Sequence, residues 1–169
     1  GVHSFTWTAD PFRRLYDNHI PEWRYDNLYL RYARGIPLQE IAQAHTEAKR
    51  ALFQEIKDRT GETLDLKAMT LGFARRATAY KRSTLLLSDP ERLVRMAREV
   101  GPLQIVYAGK AHPRDDKGKA MIRRVYEIAQ KLKGQVSIYY LENYDMNLGK
   151  LLTSGVDLWV NTPEKPREA

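Results

Sequence analysis

The sequence predicts an α/β protein in which a helical segment precedes a parallel sheet with helices between its strands. Two observations carry this prediction. After residue 61, short apolar runs of strand length alternate with amphipathic segments of helical period, and glycine or proline separates one segment from the next. Strands that are separated by helices are joined by right-handed crossovers, so the sheet that they form is parallel.

The helical segment comes first. Aromatic residues in short bursts up to Pro37 predict one or two short helices, with Pro11 in the first turn of one of them. A long amphipathic helix is predicted from 37 to 59, and Gly61 terminates it. Its apolar stripe consists of Leu38, Ile41, His45, Ala48, Leu52 and Ile56. A histidine on such a stripe is more often a buried or boundary residue than a catalytic one.

Four strands are predicted at 68–74, 103–108, 135–141 and 156–160, and helices at 90–100, 116–133 and 145–153. In parallel sheets, ligands bind outside the carboxyl ends of the strands. Those ends carry, in chain order, Arg75-Arg76, Gly109-Lys110, Glu142-Asn143-Tyr144 and Asn161-Thr162. The opposite ends carry ordinary turn residues. The sequence therefore predicts a ligand site along the carboxyl edge.

A basic turn follows the first strand, and we name residues 75–82 the basic corner. It contains Arg75, Arg76, Lys81 and Arg82. A strand, a basic turn and a helix form an anion site, because the N–H groups of the first helical turn and the positive end of the helix dipole point at one spot. Guanidinium and ammonium groups add contacts to a phosphate. The alternative is a solvated charged turn, which the polar carboxyl edge disfavours.

Composition limits the classes of partner. Lys plus Arg number 28 against 21 Asp plus Glu, a formal charge of +7, which favours an anionic partner. Without a long Lys/Arg block or a repeated aromatic platform, nucleic acid is a minor hypothesis. The sequence has no cysteine, signal-peptide pattern or membrane-spanning run, which makes a cytoplasmic location the default expectation. It has neither a GxxxxGKS/T loop nor a GxGxxG turn, and Asp115-Asp116 predicts a helix start rather than a metal site.

The residues at the carboxyl edge suit phosphoryl or glycosyl chemistry. Arg75, Arg76 and Lys81 can hold a phosphate dianion. Glu142, Asn143 and Glu168 can form hydrogen bonds with sugar hydroxyls, and Tyr80 and Tyr144 offer flat faces on which a ring can rest. Without a cysteine or a metal cluster, this set favours electrostatic stabilisation of a reacting phosphate.

Four motifs in this order resemble successive motifs of the α-glucan (glycogen, starch) phosphorylases. They are RRATAYKR at 75–82, AGKAHP at 108–113, LENYDMNL at 141–148, and NTP at 161–163 with Glu168-Ala169. GVHS at 1–4 is similar to the stretch at the junction of that family's two large domains. The resemblance covers essentially the whole chain, and four ordered motifs are far more specific than one.

The resemblance implies a retaining glycosyltransferase of the two-domain GT-B type with a Rossmann-like sheet. In that family inorganic phosphate attacks the terminal α-1,4-linked glucose of a glucan and releases glucose 1-phosphate. Pyridoxal phosphate is bound in the C-terminal domain, and its phosphate exchanges a proton with the substrate phosphate. The implied partners are therefore inorganic phosphate, glucose 1-phosphate and α-1,4-glucan, with no nucleic acid and no membrane.

Motif position implies roles for individual residues. Arg76 and Lys81 would hold the substrate phosphate, and Tyr80 would face the glucosyl phosphate; these are the implied catalytic residues. Arg75 would lie near the cofactor phosphate and Tyr144 near the cofactor.

Three further residues complete the expected site. Asn143 is assigned with the cofactor, and Glu168 would bind a glucose hydroxyl, with Glu142 as a second substrate-binding carboxylate. No metal ligand is expected.

The sequence also departs from the family pattern. Arg75-Arg76, Thr78-Ala79 and Tyr144-Asp145 stand where many members have Lys-Arg, His-Glu and Tyr-Arg, which favours the shorter microbial branch. The chain ends before the glycine- and serine-rich run that contains the cofactor lysine. We therefore expect a fragment: 1–62 would link to the N-terminal domain of a parent protein, and 63–169 would be part of its phosphate- and cofactor-binding domain. Such a fragment is expected to be catalytically silent.

Two alternatives stay open. One is a nucleotide-sugar glycosyltransferase of the same two-domain architecture, which also sets an arginine and a lysine against phosphates. The other is a non-enzymatic anion-binding or nucleic-acid module that depends on the charge of +7. The sequence leaves homo-oligomerisation of the parent open.

Overall fold

Four parallel strands form a sheet in the computed structural model, which describes residues 4–167 and the side chains from residue 6 onward. The strands are β1 (Met69–Ala74), β2 (Leu103–Ala108), β3 (Ser137–Leu141) and β4 (Leu158–Trp159), and their order in the sheet is β3-β2-β1-β4. All three pairings are parallel. The predicted parallel α/β, Rossmann-like architecture is confirmed.

The helices are α1 (Ser4–Trp7), α2 (Asp10–His19), α3 (Leu38–Thr60), α4 (Pro90–Glu99), α5 (Asp116–Lys131) and α6 (Met146–Gly155), and a 3-10 helix spans Asn27–Gly35. The predicted long helices and strands begin and end within two residues of these bounds. Asp115 caps α5, since its side chain accepts a hydrogen bond from the N–H of Gly118 at 2.9 Å. The prediction of a helix start at Asp115-Asp116 is confirmed.

The chain divides into two compact units. The first contains the chain up to Leu66 together with Met146–Gly155, and the second contains Lys67–Asp145 together with the residues from Val156 onward. Helix α6 is thus inserted between β3 and β4 in sequence but belongs to the first unit. All four strands and the basic corner lie in the second unit.

The core of the second unit lies between the sheet and its helices. Ile105 and Tyr107 of β2 are almost fully buried, and they join a cluster with Phe73 of β1 and with Val125 and Ile128 of α5. Because β2 is buried at every position, its sequence is a continuous apolar run with one buried glutamine rather than an alternating one.

The first unit is built on α3. Its buried residues are Ala44, Ala48, Lys49, Leu52, Phe53 and Ile56. The predicted stripe includes Leu38, which lies in the first turn and is 82% exposed, and it omits Ala44, Lys49 and Phe53, which are buried. The Lys49 ammonium lies 5.6 Å from the centroid of the Phe53 ring. His45 is half-buried, as expected for a boundary residue.

The basic corner corrects one expectation. No α-helix follows β1 directly; two short 3-10 turns, Ala79–Lys81 and Leu85–Leu87, take its place. Arg82 adopts a left-handed backbone with φ 47°, which ends the first turn. The corner therefore lacks the dipole of a regular helix, and any anion bound there depends on side chains and local N–H groups.

Replacing Gly155 by alanine should destabilise the first unit by about 1–3 kcal/mol. An added Cβ would lie 2.7 Å from the Cβ of Leu52 and 2.9 Å from the carbonyl oxygen of Ala48, so α6 would have to move away from α3. Urea denaturation with amide hydrogen exchange on α3 measures the change. Gly35→Ala is the matched control, because no atom lies within 4 Å of its added Cβ; equal losses in the two variants would contradict the packing argument.

Candidate functional site

The carboxyl edge of the sheet brings together four segments that are far apart in sequence. In sheet order the strands β3, β2, β1 and β4 are followed by Glu142-Asn143-Tyr144, Gly109-Lys110, the basic corner and Asn161-Thr162. Because all strands run in the same direction, all four segments leave the sheet at one edge. This is the edge that the sequence predicts as the ligand site.

Arg75 is the first residue after β1, and it is held by groups from another strand end. Its Nη2 donates a hydrogen bond to the side-chain carbonyl of Asn161 at 2.9 Å. The guanidinium also acts on Tyr144, which follows β3. Burial raises the pKa of the half-buried Tyr144 phenol, and the positive charge of Arg75 opposes that rise. Arg75 thus interacts with residues that follow two other strands: Asn161 after β4 by a hydrogen bond, and Tyr144 after β3 electrostatically.

Gly109 fixes the backbone under Arg75. Its φ is 145°, a conformation that side chains rarely adopt, and a Cβ at this position would lie 2.1 Å from the carbonyl oxygen of Arg75. Nearby, the N–H of Ala77 donates to the carbonyl of Lys110 at 3.0 Å. Only glycine lets the loop after β2 pack directly against the loop after β1.

Tyr80 and Lys81 form the far end of the basic corner. The Lys81 ammonium lies 5.2 Å from the centroid of the Tyr80 ring, in cation–π range. The carbonyl of Tyr80 accepts a hydrogen bond from the N–H of Glu164 at 2.7 Å, and the hydroxyl of Thr162 donates to the carbonyl of Lys81 at 3.1 Å. The segment after β4 therefore fixes the backbone that presents both side chains.

Arg82 has a structural role that its sequence context does not reveal. Its Nε donates to the carbonyl of Thr162 at 2.8 Å, and its Nη2 donates to the carbonyl of Pro163 at 3.1 Å. These donors are occupied in joining the basic corner to the segment 161–164. No local pattern predicts this role, because the carbonyl groups that accept these hydrogen bonds lie 80 or more residues away in the chain.

Tyrosine hydroxyls order the end of β3. The hydroxyl of Tyr140 donates a hydrogen bond to the carbonyl of Gly109 at 3.1 Å. The pKa of Tyr140 is raised to about 12, chiefly because the phenol is buried. The hydroxyl of Tyr126 in α5 donates to the exposed carboxylate of Glu142 at 3.3 Å. Asn143 is exposed and has a left-handed backbone with φ 54°, which turns the chain after the strand.

The predicted site residues divide into three groups. The charge of Arg75 acts on Tyr144, and the Lys81 ammonium lies beside the Tyr80 ring. Arg76, Glu142 and Asn143 are exposed at the same edge. Glu168 lies outside the described residues. The motifs contain Asn161 and Arg82 but predict no contact for either, and their contacts emerge only from the fold.

The chemistry of this donor set fits a phosphorylated aromatic cofactor. A guanidinium beside a tyrosine ring can contact a phosphate and a heteroaromatic ring. The Thr78 hydroxyl in the basic corner is buried and has no hydrogen-bond partner within the described part of the chain, so it is available to a ligand oxygen.

Between residues 4 and 167, no group of three or more His, Asp or Glu residues is arranged to hold a metal ion. In the same range, no helix is long and apolar enough to cross a membrane.

Similarity to known proteins extends over the whole chain, although no family model matches it. A maltodextrin phosphorylase from Thermococcus litoralis is 38% identical over all of this chain, which covers 22% of that relative. A glycogen phosphorylase from Aquifex aeolicus is 37% identical over all of this chain, which covers 28% of that relative. The chain belongs to the glycogen phosphorylase family.

A glycogen phosphorylase from Mycobacterium tuberculosis is 46% identical over 62% of this chain. The matched part makes up 12% of the length of that relative. The chain thus spans about a quarter of the length of the two relatives that match it throughout. The resemblance read from the four motifs is confirmed at the level of the family.

Proposed function

We propose that this chain is a segment of an enzyme that uses inorganic phosphate to cleave the terminal α-1,4-linked glucose from a glucan, releasing glucose 1-phosphate. The observation that carries the proposal is the similarity of the whole chain to a maltodextrin phosphorylase and a glycogen phosphorylase. The cationic and polar side chains at the carboxyl edge support it, because phosphorolysis needs fixed positive groups around a reacting phosphate.

In this proposal Arg76 and Lys81 bind the substrate phosphate. Arg76 is exposed and Lys81 half-buried at the carboxyl edge, so both can reach a ligand. A guanidinium makes two parallel hydrogen bonds to phosphate oxygens, and an ammonium adds a compact charge. Tyr80, with its ring beside the Lys81 ammonium, faces the glucosyl phosphate. Positive charge held here stabilises the phosphate as the glycosidic bond breaks.

Arg75, Tyr144 and Asn143 are proposed to hold pyridoxal phosphate. Its phosphate group would supply a proton donor and acceptor beside the substrate phosphate. The part of this chain is to bind and orient: Arg75 contacts the cofactor phosphate, and Tyr144 packs near the cofactor. The electrostatic effect of Arg75 on the pKa of the Tyr144 phenol supports this pairing.

Glu142 and Glu168 are proposed to contact the sugar. Glu142 is exposed, and the Tyr126 hydroxyl orients its carboxylate. Carboxylates are strong acceptors for the hydroxyls of a glucose unit. Such contacts would orient the glucose so that its anomeric carbon faces the phosphate.

The proposal is tested on the full-length protein that contains this chain, incubated with a linear maltodextrin and inorganic phosphate. We expect glucose 1-phosphate, measured through coupled phosphoglucomutase and dehydrogenase. Transfer of glucose only from a nucleotide diphosphate sugar would instead favour the nucleotide-sugar glycosyltransferase. Binding to heparin or DNA that survives moderate salt, with no response to phosphate or sugar phosphates, would favour the non-enzymatic module.

The 169-residue chain by itself is proposed to be inactive, because the resemblance puts the cofactor lysine outside it. Titration with pyridoxal phosphate followed by borohydride reduction examines this directly. We expect only substoichiometric labelling spread over several lysines. A stoichiometric adduct on one lysine, such as Lys81 or Lys110, would contradict the assignment.

A further inference from the structure

A buried hydroxyl in the basic corner has no partner among the residues that the structure describes. The side-chain oxygen of Thr78 is inaccessible to solvent, and it neither donates nor accepts a hydrogen bond there. A hydroxyl that leaves water without gaining a new hydrogen bond lowers the stability of the folded chain, so native proteins rarely contain one. A ligand that supplies the partner would account for its presence.

Thr78 lies between the two cations that are proposed to bind the substrate phosphate. The N–H of Thr78 donates to the carbonyl of Arg76 at 2.9 Å. The carbonyl of Thr78 accepts from the N–H of Lys81 at 3.1 Å, which closes the 3-10 turn Ala79–Lys81. The hydroxyl is therefore carried by the same short stretch of backbone that presents Arg76 and Lys81.

The backbone on both sides of Thr78 is fixed. Before it, the N–H of Ala77 donates to the carbonyl of Lys110 at 3.0 Å, in the loop after β2. After it, the carbonyl of Tyr80 accepts from the N–H of Glu164 at 2.7 Å, in the segment after β4. A donor on such a fixed loop needs little reorganisation when an anion binds.

The hydroxyl lies close to the surface of the carboxyl edge. Thr78 as a whole is only half-buried, and its neighbours Arg76 and Ala79 are exposed. The backbone of Thr78 is extended, with φ −129° and ψ 148°. Valine suits an extended backbone as well as threonine does, so this conformation gives no reason for a hydroxyl.

We propose that the Thr78 hydroxyl donates a hydrogen bond to an oxygen of the phosphate group that Arg76 and Lys81 bind. The proposal rests on the function proposed above and adds a ligand contact to it. The phosphate of the cofactor offers the same chemistry, and the experiment distinguishes the two sources. The place of Thr78 between Arg76 and Lys81 favours the substrate phosphate.

Thr78→Val in the full-length protein removes the hydroxyl and nearly keeps the shape of the side chain. We expect kcat/KM for inorganic phosphate to fall roughly tenfold, as for the loss of one hydrogen bond to a charged group. The KM for maltodextrin and the affinity of the apoprotein for pyridoxal phosphate should not change. Weaker binding of pyridoxal phosphate with unchanged phosphate kinetics would overturn the assignment to the substrate phosphate, and no change in either would overturn the contact itself.

Stability separates a ligand contact from a structural role. Because the hydroxyl has no partner in the folded chain, Thr78→Val should leave the urea midpoint of the 169-residue chain unchanged or raise it. Thr70→Val is the matched control in the same unit, since that hydroxyl donates to the carbonyl of Ala68 at 3.1 Å and accepts from Gln104 at 3.2 Å. Thr70→Val should lower the midpoint and leave the phosphate kinetics of the full-length protein unchanged. A lower midpoint in Thr78→Val would overturn the proposal.

Thr78→Ser distinguishes the hydroxyl from the methyl group of the threonine. It keeps the donor and should retain most of the kcat/KM for phosphate. A loss as large as that in Thr78→Val would show that packing of the methyl group is responsible, and would overturn the proposal.

Failure of this inference can be told apart from failure of the proposed function. If the unmodified full-length protein releases no glucose 1-phosphate from maltodextrin and inorganic phosphate, the proposed function fails and takes the inference with it. If it does release glucose 1-phosphate and Thr78→Val has the same phosphate kinetics, the proposed function stands and the role of Thr78 is refuted.

Discussion

Replacing Arg76 by alanine should lower kcat/KM for inorganic phosphate in the full-length protein by about two to three orders of magnitude, the loss seen when one preorganised charge-stabilising donor is removed. The side chain is exposed at the carboxyl edge, so truncation removes a ligand contact and not core packing. Steady-state phosphorolysis at varied phosphate measures the effect. Arg76→Lys keeps the positive charge but loses the planar guanidinium and its paired hydrogen-bond donors. Its kcat/KM for phosphate should lie between that of the wild type and that of the alanine variant.

Arg123→Ala is the matched control for Arg76→Ala. Arg123 is an exposed arginine on α5 in the same unit, and it has no part in the proposed site. We expect its kinetics to match those of the unmodified protein. A loss in Arg123→Ala as large as that in Arg76→Ala would mean that net positive charge, and not a placed guanidinium, governs phosphate use.

Replacing Gly109 by alanine should destabilise the second unit by on the order of 4 kcal/mol, at the upper end of single substitutions. Two costs add. The φ of 145° is strained for any side chain, and the new Cβ would lie 2.1 Å from the carbonyl oxygen of Arg75, which is backbone and cannot rotate away. Urea denaturation of the 169-residue chain, with hydrogen exchange on the amides of β1 and β2, measures the loss.

Gly101→Ala separates these two costs. Gly101 lies just before β2 as Gly109 lies just after it, its φ is 138°, and no atom lies within 4 Å of an added Cβ. The free energy of unfolding of Gly101→Ala should therefore fall only by the cost of backbone strain, about 1–3 kcal/mol. If Gly101→Ala and Gly109→Ala lose the same free energy of unfolding, close packing against Arg75 does not contribute.

Helices and strands were predictable because their signals are local. Strand β2 has a buried apolar run of six residues, and α3 has a stripe with helical period and ends at Gly61 in the left-handed conformation. The prediction of the carboxyl edge also followed from sequence, since strands separated by helices run parallel and end together. The motifs at that edge were sufficient to identify the family.

The sequence was less informative about the basic corner. A basic triplet after a strand is compatible with the start of a helix and with a turn. In the structure it forms a single 3-10 turn, which ends at Arg82 because the backbone of that residue is left-handed. The apolar stripe predicted for α3 was wrong about the burial of Leu38 and Lys49. Periodicity predicts which face of a helix is buried, but it does not show where that face ends or which charged side chain an aromatic ring covers.

By itself, then, the sequence determined the order of the elements, the parallel direction of the strands and the edge that carries the polar residues, because each depends on patterns within a few residues. The tertiary structure alone decided that the strand order is β3-β2-β1-β4, that α6 joins the first unit, and that Asn161 and Arg82 link the basic corner to the end of β4. Contacts across 80 or more residues depend on how the sheet is wound, and no local pattern in the chain encodes them.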